Sequence, residues 1–176
     1  MIDAGYKDYI KYVAENRKNE MVYNSSAEHA IVVLSELIKN AKHYVHIVCK
    51  NMDPAVTNDE CYLEAVESFL ENESSKELSI LLTDSYNSSQ KSEIFELLKR
   101  YPKKVVVRSL ENKIQITSKD RPINWTVSDD TAYRIEIDID NCIAVGNFND
   151  SAMAKRYNDH FKRFFTDDNL SFKVEI

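Results

Sequence analysis

The sequence predicts an α/β domain on a mixed sheet, with βαβ units in the N-terminal half, antiparallel strands in the C-terminal half and helices flanking the sheet. Three observations predict it. Up to residue 110, short β-branched runs alternate with amphipathic helices of about 12–15 residues. After residue 110, four strand-like segments follow one another through short links, which favours antiparallel pairing. The hydrophobic fraction is 43% over 176 residues, enough for a core that hides roughly 70% of the unfolded surface.

Residues 3–18 read as a helix, because Tyr6, Tyr9, Ile10 and Val13 recur at spacings of three and four. Asn16–Asn24 is polar and reads as a linker. The expected organisation is therefore a helical extension over residues 1–23 and a single domain over 24–176. Ser25 with Glu28 forms a capping box, and Ala27, Ala30, Ile31, Leu34, Leu37, Ile38 and Ala41 continue at helical spacing to about Lys42. His43–Cys49 is a short β-branched run and reads as a buried strand. Thr57 with Glu60 makes a second capping box, ahead of a stripe of Cys61, Ala65, Val66, Phe69 and Leu70. Glu77–Asp84 is the next buried strand, Ser88–Tyr101 a third helix stopped by Pro102, and Val105–Leu110 a third strand. Lys113–Thr117, Asn124–Ser128, Ala132–Asp138 and Cys142–Phe148 are the strand-like segments that follow. A last helix covers Ser151–Phe165, and the alternating tail Leu170–Ile176 adds an edge strand.

Composition narrows the function classes. A net charge of -6 and a pI of about 5.3 disfavour tight non-specific binding to nucleic acid. Cys49, Cys61 and Cys142 are odd in number and form no CxxC pair, which fits a reducing cytosol better than a disulfide framework. No apolar run reaches about 18 residues, so no membrane span is expected, and the polar N-terminus does not read as a secretory signal. With Gly5 and Gly146 as the only glycines, a glycine-rich phosphate loop is excluded.

Each candidate chemistry has a plainer structural reading. His43, His46 and Cys49 are spaced like zinc ligands, but on a strand residue 46 faces away from 43 and 49. Cys49 and Cys142 fall in segments read as buried strands, where thiols are inert. His29 and His160 sit on helices without an orienting partner. Asp84, Asp129, Asp130, Glu136, Asp138 and Asp140 form an acidic group able in principle to bind a divalent metal. Restriction-type nucleases, however, pair such acids with a lysine that Glu136-Ile137-Asp138 lacks, so a solvated acidic edge is expected. Arg134, Glu136 and Asp138 share one strand face, where they pair with each other or let Arg134 hold an anion. Lys99, Arg100, Lys103, Lys104 and Arg108 cluster at a helix end, where the helix dipole favours cations.

The order of elements, together with Ala27–Cys49 and the segment Trp125–Phe161, resembles the phospholipase D-like domain over about residues 24–166. In that family a strand pair joined by an acidic turn precedes an asparagine-containing loop and a long helix. Trp125–Val127, the turn Asp129-Asp130, Ala132–Glu136 and Asn147-Phe148-Asn149-Asp150 fill those places. The family's reaction uses a His-x-Lys motif whose histidine is the nucleophile and whose lysine binds phosphate. Here the corresponding stretch reads Pro122-Ile123-Asn124-Trp125-Thr126, so covalent phosphodiester chemistry has no agent. The resemblance implies fold rather than activity: a degenerate, non-catalytic member in a bacterial cytosol. As a binding or regulatory module it would have Arg134, Glu136, Asn147 and Asp129 as candidate binding residues. Asp129 or Asp130 stands for the family's acid and Asn147 for its later asparagine. No cofactor or metal is implied. The binding or regulatory role calls for a protein or nucleic-acid partner, and a homodimer is implied because active relatives join two such domains. The alternative is a metal-dependent nuclease or phosphodiesterase using Asp84, Glu136 and Asp138.

Overall fold

A computed structural model describes residues 4–72, 76–84, 86, 92–111, 114–118 and 121–176. Helix α1 (Ala4–Glu15) leads to strand β1 (Val22–Ser25), helix α2 (Ala27–Lys39) and strand β2 (Tyr44–Cys49). Next come α3 (Pro54–Thr57), α4 (Glu60–Glu71), β3 (Glu77–Leu82), α5 (Glu93–Lys99) and β4 (Val105–Leu110). The second half contains β5 (Thr117–Ser118), β6 (Arg121–Pro122), β7 (Asn124–Ser128), β8 (Ala132–Asp138), β9 (Ile143–Asn147), α6 (Ser151–Phe165) and β10 (Ser171–Lys173).

Eight strands form one sheet in the order β1-β9-β8-β7-β2-β3-β4-β10. β2, β3 and β4 are parallel, while β7, β8, β9 and β1 pair antiparallel. This is the predicted mixed sheet, and β10 is the predicted edge strand, antiparallel to β4. One core lies between the sheet and α2, α4 and α5, and a second lies under α6. The second half alternates cleanly: Ala132 belongs to the first core, whereas Tyr133 and Ile135 belong to the second.

The structure differs from the sequence reading at several junctions. The end of the expected linker is β1, an edge strand held by β9, and α1 buries Ile10, Val13 and Ala14 in the first core. Because Ser25 belongs to β1, the cap of α2 falls to Ser26, whose Oγ accepts from the His29 amide at 3.2 Å. Thr57 ends α3 and does not cap α4; Asp59 does, accepting from the Cys61 amide at 2.9 Å. Cys142 lies not in a strand but in the turn before β9, with φ 53°. Of the expected strand at Lys113–Thr117, residue 113 lies outside the described residues and 114–116 are not strand. Thr117–Ser118 instead pairs with Arg121–Pro122 in a separate ribbon. The expected helix at Ser88–Tyr101 is described only from Ser92, and its helical part is α5; residue 3 of the first helix is likewise outside the described residues. Among the described residues no helix is long and apolar enough to cross a membrane.

Candidate functional site

Alternation along β8 turns Arg134 and Glu136 to the α2 side of the sheet, opposite Tyr133 and Ile135. Being two residues apart, they meet directly: Arg134 Nη2 donates to Glu136 Oε1 at 2.8 Å. Both side chains are nearly buried, at 5% and 11% exposure. Such a pair is stable only if its remaining hydrogen-bonding capacity is also met, and neighbouring strands supply the partners. Asn124, the cross-strand partner of Glu136, donates from Nδ2 to Glu136 Oε2 at 2.7 Å. Its Oδ1 accepts from the Lys50 amide at 3.0 Å. On the other side, Arg134 Nε donates to Asn24 Oδ1 at 2.9 Å, and Asn24 Nδ2 donates to the Cys142 carbonyl at 2.6 Å. β9 lies between Arg134 and Asn24 and presents Ala144 and Gly146 there, as the partners of Asn24 and Arg134. Their small size leaves Arg134 room to lie across the strand. A Cβ at Gly146 would stand 2.9 Å from the Tyr133 carbonyl oxygen, so this position is held to glycine by space.

This chain of polar groups floors a cavity of about 90 Å³. Leu34, Ile47, Met52 and Val56 supply apolar walls, and the exposed Asn51 and Asp53 stand at its mouth with the half-buried Ile139 and Cys142. Burial pushes the Cys49 thiol up to about 12, helped by the Glu136 charge. Burial also raises the Cys142 thiol, with Glu136 adding to the effect. Both are held as thiols, the less nucleophilic form. Tyr62 is 2% exposed and lines the same cavity. Burial raises its phenol pKa, with the Cys49 charge adding and Arg134 opposing.

The opposite end of β7 is built differently. Asp129 and Asp130 form a two-residue hairpin with φ 53° and 51°, the left-handed pair that suits the twist of the strands. The Thr131 amide closes it on the Ser128 carbonyl at 3.1 Å. The Asp129 carboxylate accepts from the amides of Lys42, His43 (2.8 Å) and Tyr44 (3.0 Å), tying the turn to the start of β2. Asp130 Oδ1 accepts from Asn158 Nδ2 at 2.6 Å. Asn158 Oδ1 lies 2.6 Å from His46 Nδ1, and the His46 ring is stacked between Tyr44 and Phe161.

The predicted binding residues therefore fall in three places. Arg134 and Glu136 come together at the cavity. Asp129 sits beyond the far end of β7 and engages backbone amides. Asn147 ends β9, bonded through Nδ2 to Asn19 Oδ1 at 2.8 Å and through Oδ1 to the Asn149 amide at 2.8 Å. His46 packs against α6 while Cys49 contacts the Met52 sulfur in the first core, so the spaced His–Cys set diverges. The acids of the nuclease alternative do not assemble either. Asp84 is exposed after β3, three strands from β8 in the sheet, and Asp138 accepts from Asn141. Among the described residues no group of three or more His, Cys, Asp or Glu side chains is placed to hold a metal ion. Four of the five residues of the basic cluster are held by local partners: Lys99 by Glu96, Arg100 by Glu67, Arg108 by Asp168, and Lys104 by the Leu70 and Asn72 carbonyls. Sequence reasoning missed Asn24, Asn124 and Tyr62 as site residues. Asn124 carried a signal, since strand pairing places it opposite Glu136. Tyr62 carried none beyond its spacing of three and four from Ala65 and Val66, and it was left out of the helix stripe read from the sequence.

A family model described as a domain of unknown function, DUF7931, matches residues 26–168. No curated protein sequence matches the chain. Among solved structures it is similar to TrmBL2, an archaeal chromatin protein described as showing a novel mode of DNA binding. There the TM-score is 0.59 at 12% identity, over 97% of this chain and 61% of that one. It is also similar to Nuc, a phospholipase D family member from Salmonella typhimurium (TM-score 0.58, 11% identity, 89% of this chain and 100% of that one). A third is NucT from Helicobacter pylori (TM-score 0.56, 14% identity, 87% and 100%). The chain thus spans about three fifths of TrmBL2 and the full length of Nuc.

Proposed function

The chain belongs to the DUF7931 family and has the α/β fold of phospholipase D family members, and from these premises we propose that it is a non-catalytic binding or regulatory module of that fold, acting on a protein or nucleic-acid partner. The observation that carries the reading is the floor of the cavity. Where the resemblance calls for His-x-Lys, the chain has Pro122-Ile123-Asn124, and the Asn124 amide is spent on Glu136 and the Lys50 amide. An amide already bonded at both ends is neither a nucleophile nor a cation for phosphate. The charge that a phosphate would seek in Arg134 is already matched by Glu136.

A nucleic-acid partner draws support from TrmBL2, whose description includes DNA binding. The electrostatics support a protein partner more strongly, because the net charge is -6 and four of the five clustered cations are tied to local acceptors. Self-association belongs to the same proposal; a strict monomer by light scattering at high concentration counts against it. The decisive test is incubation with single- and double-stranded DNA and RNA in Mg²⁺ or Mn²⁺. No turnover is expected. Cleavage that requires metal and disappears in Glu136→Ala would overturn the reading in favour of a nuclease.

A further inference from the structure

The cavity is lined by the polar side chains of Tyr62, Arg134 and Glu136. Tyr62 is 2% exposed and lines the cavity. A polar group facing a space that opens to solvent takes its hydrogen-bond partner from what enters that space. The floor has spare hydrogen-bonding capacity. Arg134 has five N–H donors, and two of its nitrogens, Nε and Nη2, already donate. Each Glu136 oxygen accepts one hydrogen bond and has a second lone pair. Free donor capacity therefore stands beside free acceptor capacity across an ion pair only 2.8 Å long.

From this arrangement we infer that the cavity is a binding site for a small uncharged molecule with an amide edge, a carbonyl beside an N–H, as in a pyrimidine base or a simple amide. The carbonyl accepts from Tyr62 and the Arg134 guanidinium, and the N–H donates to Glu136. Net charge selects against anions. The ion pair is neutral as a unit, and Asp53 at the mouth adds a negative charge with no cation of the cavity left to offset it. Leu34, Ile47, Met52 and Val56 give the ligand's body apolar walls, the usual division of labour in a small-molecule pocket. The inference rests on the reading that this position binds rather than reacts, and it adds a ligand class to it.

The test is titration of the full chain with uracil, uridine and acetamide, with inorganic phosphate and acetate as charged controls, followed by calorimetry and ligand-observed NMR. Uracil and acetamide are expected to bind and the two anions not to. Uridine separates a free base from a nucleoside, whose ribose has to leave through the mouth; its binding or exclusion fixes the source of the ligand, provided uracil binds. Tyr62→Phe, which removes one oxygen from a retained ring, should weaken uracil by about tenfold. If that variant unfolds, Ala30→Met, which fills the space from the wall, should abolish binding instead. Phosphate binding tighter than uracil, no binding of any neutral probe, or uracil affinity unchanged in a folded Tyr62→Phe would each overturn the inference. None of these results depends on nucleic-acid cleavage, so the ligand inference and the non-catalytic reading fail separately.

Discussion

The two ends of β7 use polar side chains for opposite purposes. At the Asp129 end, one carboxylate takes three backbone amides of the α2–β2 junction, and the hairpin geometry that presents it is itself suited to Asp. At the Asn124 end, the polar residues bond chiefly to one another and floor a cavity that opens to solvent. The first arrangement holds the frame of the sheet. The second lies where the phospholipase D-like resemblance locates a reaction. The frame of the fold and the chemistry of the site are thus separable along a single strand, so a chain can keep one while altering the other.

The largest effect that could break this comparison lies at the cavity. Removing one member of a buried ion pair leaves the other charged and uncompensated, which costs about 3–5 kcal/mol. Glu136→Ala should lower the unfolding free energy by that amount in urea titrations. The double variant Arg134→Met/Glu136→Leu should recover most of the loss, because apolar side chains of similar size need no partners. A single variant that costs under about 1 kcal/mol would mean that the pair is hydrated in solution, and the cavity floor would then not be the nearly buried pair described above.

The next effect lies at the other end. Asp129→Ala removes three amide partners at a half-exposed site and puts a β-carbon without a polar group in a left-handed conformation. A loss of about 2–3 kcal/mol is expected from urea unfolding. Asp129→Asn should lose less, since Asn tolerates that conformation and retains an acceptor. If Asp129→Ala is neutral, the turn is not an anchor and the contrast between the two ends fails.

How much of this the sequence could reveal follows from what fixes each feature. Helical and strand periodicity are local, so Ser151–Phe165 and Val105–Leu110 were readable to the residue. So was the pairing of Arg134 with Glu136, because residues two apart on a strand share a face. The edge strand β1 was not, since its four residues are strand only by pairing with β9, which lies over a hundred positions later. Tyr62 reaches the cavity, and Asn24 reaches Arg134 on its floor, for the same reason: long-range packing brings them there, and neither spacing nor residue type announces it. Asp129 was readable as a turn residue, but its amide partners at Lys42–Tyr44 are set by the β2–β7 register and appear only in the fold.

The smallest effect concerns His46, which is linked to the Asp130 side of the turn through Asn158. Burial lowers its pKa from 6.5; the Asn158 hydrogen bond opposes that shift, the Lys162 charge adds to it and the Asp130 charge opposes it. The sign follows by linkage. Above pH 6.5 the imidazole is neutral in both folded and unfolded chains and stability is unaffected. As pH falls through 6.5 toward the lowered folded value, the unfolded chain takes up the proton first, so stability declines. His46→Phe keeps a ring between Tyr44 and Phe161 but cannot bond Asn158. It should therefore be less stable than the parent at neutral pH and show a shallower decline between about pH 7 and pH 5. Urea midpoints measured across that range decide the matter. A parent chain whose stability is flat there, or a variant whose slope equals the parent's, would show that this histidine is solvated and that the Asn158 network stops short of β2.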